Sequence, residues 1–111
     1  MGYSVLPTKK FETRLESALT YIILDLANPI AAQALLDAVE HTFTLLATTP
    51  FAFPEDEYLR RRTGLAVRKV PIKNSRIYYT VDEQRRIVYP RTFIHCSQDS
   101  THLNIDEFVN S

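Results

Sequence analysis

The sequence predicts an α+β fold: a small antiparallel sheet with an N-terminal helical hairpin packed on one face, in the order β-α-α-β-β-β. Three observations carry this. Apolar residues recur every three or four positions through two adjacent segments of the first half. The junction between those segments, Ala27-Asn28-Pro29, is so short that the two helices must run antiparallel. From Leu65 onward, runs of alternating bulky residues are separated by two turn-forming clusters. At 111 residues, 45% hydrophobic and 23% charged, the chain fits one domain spanning residues 1–111.

The elements follow in order. Tyr3-Ser4-Val5-Leu6 alternates as a short strand and stops at Pro7. Thr8 is a helix cap, and Phe11, Leu15, Ala18, Leu19, Ile22 and Leu26 form one face of a helix reaching about Ala27. Asn28 caps the next helix, with Pro29 in its first turn. Its apolar stripe is Ala32, Leu35, Leu36, Val39, Phe43 and Leu46, and Thr49-Pro50 ends it. Phe51–Arg62 reads as a surface loop. Strands are expected over Leu65–Ile72, Arg76–Val81 and Arg86–Cys96, turned by Lys73-Asn74-Ser75 and Asp82-Glu83-Gln84-Arg85. Pro90 cannot donate to a ladder, so the last strand is expected at an edge or bulged nearby. Ile105, Phe108 and Val109 mark Asn104–Asn110 as a candidate short C-terminal helix.

Composition excludes several classes. The lone Cys96 rules out an internal disulfide and a cysteine-rich zinc site, and fits a reducing cytoplasm. No apolar run is long enough to span a membrane, and the N-terminus lacks the sections of a signal peptide, so a cytoplasmic protein without membrane partners is expected. The net charge is zero but unevenly spread. Residues 1–59 carry three basic side chains against eight acidic ones, whereas residues 60–91 carry ten basic against two acidic. That polarity suits a polyanion-binding surface on a neutral scaffold; solvated strand ends account for it equally well.

Alternation assigns Ile77, Tyr79 and Val81 to the helix side and leaves Arg76 and Tyr78 on the open side. Unbroken alternation would set Tyr89, Arg91 and His95 beside them, with Arg68 joining from the preceding strand. Such a face offers guanidinium forks for phosphate, rings for unpaired bases and a histidine for proton transfer. The plainer alternatives are a His95 hydrogen-bonded to Asp99 or backbone, and an Arg76 paired across the hairpin with Asp82 or Glu83.

The chain resembles the RelE/ParE superfamily of bacterial type II toxins. The resemblance rests on Asn28-Pro29 between the helices, on Thr49-Pro50, on Arg76-Ile77-Tyr78-Tyr79-Thr80-Val81-Asp82-Glu83, and on Phe93-Ile94-His95-Cys96-Ser97-Gln98-Asp99, which is similar to a closing His-Gly-x-x-Asp element. It implies a toxin neutralised by a cognate antitoxin that wraps it. The nuclease branch implies metal-independent cleavage of mRNA in the ribosomal A site, with no cofactor. By position, Arg76 and His95 would be catalytic, and Arg68, Lys69, Tyr78 and Arg91 would hold RNA and its phosphates. The alternative branch implies a non-enzymatic inhibitor of DNA gyrase, and a third outcome is a degenerate toxin that only binds its antitoxin.

Overall fold

The computed structural model describes residues 2–95 and Phe108. The order is β1 (Ser4–Val5), α1 (Lys9–Thr20), α2 (Pro29–Thr48), α3 (Glu57–Thr63), β2 (Arg68–Ile72), β3 (Ser75–Asp82) and β4 (Ile87–His95). The four strands form one sheet in the order β1-β4-β3-β2. β2, β3 and β4 are an antiparallel meander, as expected. β1 lies parallel to β4, so the sheet is mixed and β4 is internal. Pro90 is therefore accommodated by a bulge and not by an edge position.

Local chemistry explains both helix starts. The Thr8 hydroxyl accepts from the Phe11 amide at 3.2 Å, and the Asn28 side chain accepts from the Ala31 amide at 3.0 Å, with Pro29 directly behind it. The first helix does not run unbroken to Ala27. It widens into one π-helical turn over Tyr21–Asp25, where the Leu26 amide reaches back to the Tyr21 carbonyl at 3.2 Å. Ala27 then adopts a left-handed φ of 49°, which turns the chain into α2.

Between helices and sheet lies the main core, with Phe11, Leu35, Val39, Leu46, Ile77, Tyr79, Val88 and Phe93 among its buried members. Tyr79 also donates its hydroxyl to the Pro50 carbonyl at 2.8 Å, pinning the end of α2 to the sheet. Burial pushes this phenol up to about 12, while the Arg68 guanidinium pulls the other way. Because the folded value is raised, the stabilisation is whole below the unfolded value near 10 and is lost as pH rises to 12. Near-UV titration is expected to show the Tyr79 phenol ionising late, and melts across that window to lose on the order of 2 kcal/mol. Tyr79→Phe is expected to flatten that high-pH decline.

A second, smaller core occupies the opposite face. Leu59, Val67, Tyr78, Ile94 and Phe108 pack together there, with Leu65 beside them. It exists because Phe51–Arg62 is not wholly a loop. Asp56 caps α3 by accepting from the Leu59 amide at 2.9 Å, and Gly64 closes it at φ 74°. The face expected to be open is thus partly roofed. The expected C-terminal helix lies outside the described residues except for Phe108, which is helical and buried. Among the described residues no helix is long and apolar enough to cross a membrane.

Candidate functional site

One irregularity in β4 decides how the site is arranged. Tyr78 pairs with Thr92 and Tyr79 with Pro90, so Arg91 is an extra residue bulged out of the ladder. The N-terminus holds this bulge in place. The Thr8 amide donates to the Pro90 carbonyl at 3.0 Å, and the Thr8 hydroxyl donates to the Arg91 carbonyl at 3.1 Å. Both carbonyls beside the irregularity are thereby satisfied.

Beyond the bulge the alternation reverses. Directly paired residues share a face, and Ile77 with its partner Phe93 belongs to the helix-side core. His95, paired with Ser75, therefore faces the helices, while Arg76, paired with Ile94, faces α3. The two residues expected to share one phosphate point to opposite sides. Unbroken alternation had placed them together, and the single added residue separates them. The alternative partner for Arg76 also fails: Asp82 is six residues along the same strand, roughly 20 Å away, and accepts from the Arg85 amide at 3.1 Å. The alternative bond from His95 to Asp99 lies outside the described residues.

The remaining candidates divide further. Tyr78 is buried at 1% exposure, so its ring belongs to the second core and is not a stacking surface. Lys69 places its ammonium 3.2 Å from the buried Asp56 carboxylate, tying β2 to the start of α3. Arg68 lies on the helix side opposite Tyr79, where it donates to the Phe53 carbonyl at 2.6 Å and stacks over the Phe51 ring at 5.1 Å. Arg91 donates to the Thr80 hydroxyl at 2.9 Å and lies 4.7 Å above the Tyr89 ring. Burial lowers the Arg91 pKa and Tyr89 opposes that shift; an arginine stays charged at neutral pH regardless.

Arg68 and Arg91 do share a cleft. β2 begins opposite Tyr79, leaving Thr80–Asp82 of β3 without a strand neighbour on that edge among the described residues. The step opens a hollow of about 580 Å³ lined by both arginines, Phe51 and Tyr89, but also by Glu55, Asp82 and Glu83. Its charge is mixed, which weakens its hold on a polyanion.

On the helix side, His95 and Phe93 face a stripe of α1, Lys10, Thr13, Arg14, Ser17 and Ala18, continued by Tyr21 of the π-helical turn. They line a groove of about 520 Å³ that carries Lys10, Arg14 and His95 and, among the described residues, no carboxylate. Reasoning from sequence followed only the apolar stripe of α1 and passed over this one. The available signal was the spacing of Lys10, Arg14, Ser17 and Tyr21, which puts them on one helical face. No group of metal-ligating side chains gathers among the described residues.

Residues 5–100 match the model of the ParE toxin of the type II toxin–antitoxin system parDE. The chain belongs to the ParE toxin family. It is accordingly the toxin of a type II toxin–antitoxin system, with an antitoxin as its partner. The fold is similar to that of a chain in the toxin–antitoxin complex RelBE2 from Mycobacterium tuberculosis. That match has a TM-score of 0.59 and 18% identity, and covers 86% of this chain and 99% of that one. At such identity the likeness speaks for the fold alone. No curated protein sequence gives a significant match. The bulge and the groove beside α1 are thus features of a ParE-family chain.

Proposed function

We propose that this ParE-family toxin arrests growth by gripping a protein target, DNA gyrase in the reading its branch of the superfamily implies, and not by cutting messenger RNA. The observation that carries this reading is the reversed alternation beyond Arg91. Attack by a ribose 2′-hydroxyl needs charge stabilisation and a proton-transfer group around one phosphate. Arg76 and His95 are the pair expected to supply them, and they lie on opposite faces of the sheet. A protein-binding toxin needs no such convergence; it needs shaped surfaces, and the groove along α1 is one.

Induction of the protein in growing bacteria is the test. The expected result is DNA breakage and arrest while translation at first continues, with growth restored by co-expressing the antitoxin. Purified toxin is expected to inhibit supercoiling by purified gyrase. The nuclease reading keeps one observation in its favour, the shared cleft of Arg68, Arg91 and Tyr89. Early loss of translation with cut messages, abolished by Arg68→Ala or Arg91→Ala, would restore it. Unaffected growth on induction would leave a chain that only binds its antitoxin.

A further inference from the structure

The tip of the helical hairpin is unlike an ordinary exposed turn. From Thr20 to Gln33 the one charged residue is Asp25, whereas a chain 23% charged overall would place about three there. Five large apolar side chains stand exposed in this stretch: Tyr21, Ile23, Leu24, Leu26 and Ile30, with Leu24 at 71% and Ile30 at 82%. Of the residues from Tyr21 to Leu26, Ile22 alone belongs to the main core. An irregular backbone puts part of this patch outside. Leu26 lies four residues after the buried Ile22, a spacing that in a regular helix would return it to the core. The π-helical turn and the left-handed Ala27 carry it out to 54% exposure instead. A single exposed leucine needs no explanation, but five large apolar side chains at one end of a hairpin do. Their exposed parts come to roughly 500 Å², near the top of the range for the largest apolar patch on a monomer.

We propose that the hairpin tip is a self-association surface, on which a second copy of this chain docks tip to tip about a two-fold axis. Area argues for this occupant. Two such patches covered together remove about 1,000 Å² from water, the lower bound of a specific interface. Composition argues the same way. A two-fold contact sets a patch against itself, so an apolar surface without basic side chains is self-complementary, and Asp25 has only to stay in water at its rim. Thr20 and Asn28, exposed and uncharged, supply the rest of a polar rim. A nucleic acid finds no cation here. The pairing is independent of what the toxin attacks, and it has a consequence for any target. A joined pair presents every other surface twice, so a partner with repeated sites is held by both copies at once.

The experiment follows the mass of the purified full-length toxin by analytical ultracentrifugation from about 1 to 500 µM, a range that brackets a dissociation constant on the order of 10 µM. Wild type is expected to pass from monomer to dimer. Leu24→Glu with Ile30→Glu is expected to weaken the dimer at least about 100-fold, because carboxylates would be buried against their own equivalents. Both side chains are exposed in the single copy, so the circular dichroism and melting midpoint of that variant should stay those of wild type. Leu45→Glu, at an exposed leucine near the far end of α2, is expected to change association less than about threefold. Leu24→Lys with Ile30→Lys should be monomeric alone, yet a mixture of the glutamate and lysine variants is expected to pair, a rescue that a misfolded variant cannot show. Wild type that stays monomeric throughout would overturn the proposal. So would a dimer that survives the tip variants or is weakened equally by Leu45→Glu, or a mixture of the two charged variants that fails to pair. Loss of antitoxin or gyrase binding in the tip variants, with wild type monomeric, would give the tip to that partner and overturn the proposal as well.

Discussion

Tyr78→Ala is expected to lower the stability of the isolated toxin by about 3–5 kcal/mol, the range for removing a large ring from a packed interior. The ring is 1% exposed and packs with Leu59, Val67, Ile94 and Phe108, meeting the Phe108 ring edge-on at 6.5 Å. A domain this small holds only about 5–15 kcal/mol in all. The midpoint of thermal unfolding should accordingly fall by more than about 10 °C, and Tyr78→Phe should recover most of it. The contrast with the sequence-based expectation is direct. A Tyr78 standing on an open surface to stack on bases would leave the melt unchanged on replacement by alanine. A near-native melting temperature for Tyr78→Ala would mean that the second core is not formed.

Thr8→Ala is the second large effect, about 2–4 kcal/mol, from a substitution that removes very few atoms. The hydroxyl accepts from the Phe11 amide, so its loss uncaps α1 at a cost of about 0.5–2 kcal/mol. It also donates to the Arg91 carbonyl, and leaving that group without a partner costs roughly 1–3 kcal/mol more. Thr8 is buried, so water does not simply replace the lost contact. Thr8→Ser keeps the hydroxyl and should remain within about 1 kcal/mol of wild type. Chemical denaturation of the three proteins measures this. A Thr8→Ala protein as stable as Thr8→Ser would show that the hydroxyl does not hold the bulge.

These two residues also mark where the sequence was legible and where it was not. Thr8, Asn28 and Pro29 announced the helical hairpin because capping is local: a short polar side chain satisfies amides three residues on, whatever the rest of the chain does. The meander was legible for the same reason, since its turns are written in a few residues each. The helix α3 was not, because seven residues with Leu59 as their one buried anchor give no periodicity to read. Asp56 and Gly64 were its only markers. Missing α3 left Tyr78 on an open face. His95 was misplaced for a different reason. Its face depends on whether one residue of β4 is bulged, and that is settled by contact with Thr8, 83 positions earlier in the chain. The family resemblance survived both errors because it rests on the order of elements and not on the direction of single side chains.

The parallel seat of β1 against β4 has a consequence for the moment at which the toxin becomes dangerous. Ser4 receives its neighbour only when Ile87 has been made, and the amides of Ser4, Leu6 and Thr8 all wait for carbonyls between Arg86 and Pro90. Contacts so distant along the chain close slowly. A ribosome making this protein therefore carries an unfinished sheet until residues 86–90 have been made and released from its tunnel. That delay gives the antitoxin time to be waiting when the fold closes.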